Sequence, residues 1–285
     1  MNRRIGLAET VSTYALLGAL AVVMITPFLL MISMSLASDT TAVQMTFTLI
    51  PHEFEVGNYV RVFTTPTIDL GRHILNSLII VVGSMIGRVL VSSFVAYGFA
   101  RFHAPGKNVL FLILLGTMMI PGAVTLIPQF ALYRALGWLG TFAPLIVPNF
   151  FGGAFNIFLM RQFIVRLPVE LDEAARIDGV GPIGIFRFII FPLIRPIAVA
   201  VAIFTFQFNW SWFLEPLLYL QDAELMPLAV AVRTLSAVTS AGAMPLWNLV
   251  MVASMLLTVP MLLVFFFGQK YVFEANISGG SAGVK

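Results

Sequence analysis

Four carboxylates, Glu170, Asp172, Glu173 and Asp178, lie close together in a chain of 285 residues. Catalytic use would need His, Asp or Glu groups converging on one face, and no such convergence is evident. Their spacing suits a helix terminus better. Pro168 fits a first helical turn, while Glu170, Asp172 and Glu173 complement the positive end of the helix dipole, and Arg176 follows Asp172 at i,i+4. Gly179 is a natural left-handed stop. Pro182 then starts a second helix, which runs through Phe186 and Ile189 until Pro192 ends it. Residues 167–196 therefore read as two short helices joined by a glycine turn, with Ala174 and Ala175 forming a small face. A structured hairpin with a small face is explained by close packing on another protein.

Other chemistries find little support. The chain has no cysteine, which removes disulfides and thiolate metal sites, and His52, His73 and His103 are too scattered to form a ligand cluster. No metal site is expected. No G-x-x-x-x-G-K-[ST] loop is present, so no phosphate-binding loop of that kind is expected in this chain. A pI near 9.4 could suggest nucleic acid, but the basic residues flank apolar segments instead of clustering on one face.

The elements that must carry the hairpin are membrane spans. Hydrophobic residues make up 59% of the chain and charged residues 10%, against roughly 25% charged in soluble domains, and the mean hydropathy is +0.97. Apolar runs of about 20 residues occur at 14–34, 74–99, 109–133, 141–159, 197–219 and 246–267. The first is long enough to be a retained helix, not a cleaved signal. The fourth carries Pro144, Pro148, Gly152 and Gly153 and is read as kinked. The expected fold is an all-α integral membrane protein, a single domain over 1–285 with six transmembrane helices. Six spans put both termini on one side. The positive-inside rule makes that side cytoplasmic, together with Arg101, Lys107, Arg161, Arg166, Arg176, Arg187 and Arg195. The longer connections, 35–73 and 220–245, then lie outside, where a soluble partner can reach them.

Polar groups inside the spans are the remaining candidates. Arg88 is roughly 20 Å from either end of the second span, where a charge costs about 2.5–3.5 kcal/mol on insertion scales and must face protein or a wet cavity. It either makes a structural ion pair or carbonyl bonds, or it lines a translocation path. Glu215 is one possible partner. Asn209, Trp210, Ser211 and Trp212, with Gln207, bring hydrogen-bonding and aromatic groups into the fifth span. These suit sugar stacking, but they also suit helix–helix hydrogen bonding with an interfacial aromatic. Asn149 and Asn156 in the fourth span carry the same two readings.

The run Glu173-Ala174-Ala175-Arg176-Ile177-Asp178-Gly179, followed by Ile189-Ile190-Phe191-Pro192, resembles the signature of the inner-membrane components of binding-protein-dependent ABC importers. Ala96 to Phe102 with Pro105-Gly106-Lys107, Met119-Ile120-Pro121, Ile127-Pro128, and Trp210 with Phe213-Leu214 and Pro216-Leu217 extend the resemblance to the carbohydrate branch, similar to the second permease of maltose transporters. That branch usually shows Trp-Asn where this chain has Trp210-Ser211. The resemblance implies a type I ABC importer permease architecture in a bacterial or archaeal cytoplasmic membrane. It also implies a coupling helix formed by Glu170, Asp172, Glu173, Ala174, Ala175, Arg176, Asp178, Gly179 and Phe186, seated on a separate ATPase dimer that binds ATP and Mg. Further implied partners are a second homologous permease, forming a heterodimer, and an extracytoplasmic solute-binding protein. The expected cargo is a sugar or oligosaccharide, with glycerol-3-phosphate or another polar solute as the alternative. A stand-alone secondary transporter would need intramembrane acids for ion coupling or an inverted repeat. Only Glu215 is available as such an acid, and no repeat is apparent.

Overall fold

The computed structural model describes residues 7–44, 48–65, 68–240 and 247–280. Among these residues every regular element is helical. The chain divides into two units, Met1–Leu70 with Ala231–Thr258, and Gly71–Val230 with Val259–Lys285.

The first unit contains α1 (Leu7–Ser35), α2 (Asp39–Val43) and α3 (Asn58–Thr64). It also takes in parts of two later helices, α14 (Leu228–Ser240) and α15 (Trp247–Gly280). Along α1, Leu16, Leu17, Leu20, Val22 and Val23 stay exposed, the surface of a helix whose solvent is lipid or another subunit. Short polar ties order the connection that follows. Ser38 caps α2, accepting from the Thr41 backbone N–H at 3.4 Å. Buried Asn58 donates to the carbonyls of Ser35 (3.0 Å) and Ala37 (2.9 Å). Arg61 donates to both oxygens of Asp39 at 2.8 Å, and Asn248 donates to Oδ1 of the same carboxylate at 2.8 Å. The described part of the connection 35–73 is therefore partly helical and tied by hydrogen bonds within itself and from Asn248.

The second unit is built on α4 (Leu70–Arg101), whose 32 residues form one uninterrupted apolar helix. After it come α5 (Lys107–Thr117) and α6 (Gly122–Ala135), which meet at 98°. The run 109–133 is thus not one straight helix. Pro121 has no N–H to offer, its ring clashes with the carbonyl four residues back, and it drives Ile120 out of the helical region, so the first segment stops at Thr117. The next candidate span, Ala143–Ile164, is a composite of α7 (Ala143–Ile146), a 3₁₀ turn (Val147–Phe151) and α8 (Ala154–Ile164).

The cytoplasm-assigned hairpin supplies α9 (Glu170–Ile177), α10 (Pro182–Ile185), a π turn (Phe186–Ile190) and α11 (Phe191–Leu193). Pro192, expected to end this second helix, lies inside it. The wider π turn ahead of the proline takes up the lost i→i−4 bond, and the chain bends by 76° only after Leu193, entering α12 (Arg195–Trp210). The run 197–219 is likewise divided. Ser211 ends α12, and α13 (Leu214–Tyr219) restarts so that Pro216 sits in a first turn, where its missing N–H costs nothing. The described residues therefore hold four helical segments long and apolar enough to span, three of them unbroken and the fourth the composite 143–164, or up to six spans when each bent pair counts as one.

The core of this unit joins Tyr97, Ile157, Met160, Ile164, Ala175, Ile185, Ile190, Ile194 and Ile197. It unites α4, α8, α9 and α12 in one apolar contact set, which places the hairpin firmly against the helices it follows.

Candidate functional site

Two places in the second unit carry polar groups that packing alone does not require. One is the hairpin. Gly179, at φ 79°, closes α9: its N–H donates to the carbonyl of Arg176 (3.0 Å), and that of Val180 donates to Ala175 (2.9 Å). These two bonds make a Schellman cap, which needs a left-handed residue at that position. Asp172, expected to pair with Arg176, turns inward instead. Its Oδ2 lies 2.7 Å from Nε of Arg101 at the end of α4, with the two side chains only 3% and 5% exposed. The approach is a charge contact and not an aligned hydrogen bond, because Nε of Arg101 and Oδ1 of Asp172 both lack hydrogen-bond partners. Nη2 of Arg101 also donates to the carbonyl of Leu167 at 2.9 Å. One guanidinium thus holds α9 by a side chain and by the backbone leading into it.

The two alanines separate: Ala175 is buried and Ala174 exposed. Phe186, read from the sequence as a docking residue, faces the core, 5.3 Å from the ring of Phe94 and 5.5 Å from that of Tyr97. Glu170, Glu173, Ala174, Arg176, Asp178 and Gly179 remain exposed. So do Ile177, Ile183 and Phe188, which are not among the docking residues expected from sequence. Their signal was available: bare isoleucines in a segment assigned to the aqueous side are unusual unless something covers them.

The other place is at Arg88. Nε of Arg88 donates to Oδ1 of Asn149 at 2.9 Å, and Nη2 donates to the same oxygen. Asn149 is itself fixed, donating to the Leu145 carbonyl (2.8 Å) and to Ser84 Oγ (3.1 Å). A Cβ on Gly153 would run into Nη1 of Arg88, so the guanidinium lies directly on that glycine's backbone. Among the described residues Arg88 has no carboxylate partner. Glu215 accepts instead from Nε1 of Trp212 at 2.5 Å. Arg88 opens onto a cavity of 270 Å³, lined also by Phe155, Asn156, Phe204, Thr205, Phe208 and Asn209.

Of the residues proposed from sequence for a translocation path, this cavity unites Arg88 and Asn209 and leaves out the rest. Trp210 is buried and stacked on Phe206, ring centroids 5.4 Å apart. Ser211 Oγ bonds back to the carbonyl of Gln207 at 2.9 Å. Both fall at the very end of α12 and not in the middle of a continuous span. No group of three or more His, Cys, Asp or Glu suited to a metal ion occurs among the described residues.

Residues 88–275 match the family described as the binding-protein-dependent transport system inner membrane component. The chain belongs to that family. This permease is 30% identical to protein LplC of Bacillus subtilis, over 99% of its own length and 97% of the relative's. It is 30% identical to the trehalose/maltose transport system permease protein MalG of Thermococcus litoralis, over 93% and 94% of the two chains. With the arabinooligosaccharides transport system permease protein AraQ of Halalkalibacterium halodurans the identity is 31%, over 93% of each. Among solved structures, a bacterial ABC transporter involved in import of the acidic polysaccharide alginate superposes with a TM-score of 0.80 over 95% of the permease and 99% of that chain, at 22% identity. The fold is shared. The permease is accordingly a membrane-embedded transport subunit.

Proposed function

We propose that this permease is the second membrane subunit of an ATP-driven importer for a sugar or oligosaccharide, working by alternating access with a homologous permease, an ATPase dimer and an extracytoplasmic binding protein. The sugar transport named for its relatives MalG and AraQ supports that cargo. ATP and Mg belong to the ATPase subunits, and this chain transmits their closure. Both termini and the hairpin face the cytoplasm.

The observation that carries this mechanism is the buried Arg101–Asp172 contact. It anchors α9 from within while Glu170, Glu173 and Ile177 stay exposed on the opposite side. A helix gripped from inside and bare outside is built to be pushed. In the proposed cycle a cleft of the ATPase takes that bare face, and closure of the ATPase dimer moves α9 together with the end of α4.

Co-isolation tests the assembly. A Walker-motif ATPase purifies with the tagged permease, and transport activity of the permease alone would sink the reading. Glu173→Lys leaves the protein in the membrane but abolishes uptake, whereas uptake at the normal rate would refute the coupling role of α9.

A further inference from the structure

The cavity beside Arg88 has a definite chemical demand. Its walls come from α4, α8 and α12, with Asn156 beside Arg88 over Gly153, and Thr205 and Asn209 supplied by α12. The guanidinium is held in place by a neutral amide, so its charge is oriented and not neutralised. Held by dipoles in an apolar surround, such a charge keeps its full appetite for an anion.

Asn209 closes the wall on the α12 side. Its Nδ2 donates to the Thr205 carbonyl at 2.8 Å, which fixes the amide orientation, and the side chain is only 3% exposed, so it shapes the cavity without opening its own acceptor to it. Phe155, Phe204 and Phe208 add partly exposed aromatic faces, surfaces on which the C–H face of a sugar ring packs. The volume, 270 Å³, is near the lower end of the roughly 300–1,000 Å³ typical of ligand pockets and suits one sugar unit.

We propose that this cavity is a subsite for an acidic sugar unit, its carboxylate or phosphate paired with Arg88. The proposal rests on the importer reading above and specifies the charge of the cargo. Gly153 is part of the subsite, because only a residue without a Cβ leaves Nη1 of Arg88 where it is.

The test uses the whole importer, with both permeases, the ATPase and the binding protein, in proteoliposomes. The probes are labelled digalacturonate, glycerol-3-phosphate and neutral maltose. One of the two anionic probes is taken up, and which one separates carboxylate from phosphate. Arg88→Met lowers that uptake by about tenfold or more, the loss expected for one charge-assisted contact. Arg88→Lys retains a substantial part, and Gly153→Ala shifts the KM for the anion while the complex still assembles. A complex that assembles with its ATPase but carries maltose or none of the anions overturns the subsite and leaves the importer reading standing. So does anion uptake unchanged in Arg88→Met. Dissociation of the two permeases in Arg88→Met marks a carboxylate of the second permease as the partner of Arg88, and also overturns it. Failure of the ATPase to co-isolate removes the importer reading itself.

Discussion

Arg101 and Asp172 meet across the hairpin with Nε 2.7 Å from Oδ2 and both side chains almost wholly buried. A buried ion pair adds little net stability, but removal of one member leaves a charge stranded, at a cost of about 3–5 kcal/mol. Arg101→Met and Asp172→Leu are therefore each expected to destabilise the hairpin and stop uptake. The double variant Arg101→Met/Asp172→Leu should recover most of the thermal stability lost in either single variant. Thermal unfolding of the detergent-solubilised complex, arranged as a double-mutant cycle, checks this; additive losses would show that the two residues do not act as a pair.

Gly179 poses a different demand, one of backbone. At φ 79° an L side chain costs roughly 1–2 kcal/mol, and asparagine less than a β-branched residue. Gly179→Val is expected to open the Schellman cap and uncouple transport, raising ATP hydrolysed per sugar imported, while Gly179→Asn stays close to the parent ratio. Parallel assays of hydrolysis and uptake decide it.

Packing in the second unit gives a third expectation. A Cβ on Gly268 of α15 would strike Cδ1 of Ile203 on α12, and overpacking of this kind costs about 1–3 kcal/mol. Gly268→Ala should lower the melting temperature, and Ile203→Val, which removes the struck methyl, should restore part of it. An equal drop in either background would refute the contact.

Acid sensitivity is expected in the first unit. Hydrogen bonds from Arg61 hold Asp39 below its ordinary value, opposed by partial desolvation, and the Ser38 hydroxyl and N–H do the same for Glu53. A lowered folded-state pKa means stability present above the unfolded value, near pH 4 for such groups, and lost as pH falls through the folded one. The Asp39–Arg61 pair is more than two-fifths exposed on each side, so screening keeps the effect small. Hydrogen exchange in α2 and α3 should rise below about pH 4, and Asp39→Asn should flatten that rise.

The helices were legible wherever one local rule governed them. Apolar run length located α1, α4 and α15, and the acidic first turn with Gly179 located α9. Run length does not say how a proline divides a span, which is why Pro121 and Pro216 turned single expected helices into broken ones. Charge pairing failed for a related reason. Arg176 is the neighbour of Asp172 along the chain, but the partner that folding supplies is Arg101, a long way off in sequence. At Arg88 the sequence marked the residue and its cost, while its anchor Asn149 and the glycine beneath it became visible only when α4 and the 143–164 segment were seen packed together.

Arg101 holds Asp172 through its side chain and Leu167 through its backbone. A joint fastened at two points resists being drawn apart as well as being compressed. In the proposed cycle the end of α4 can then be hauled back by a retreating α9 as directly as it is driven forward, so the return stroke needs no spring of its own.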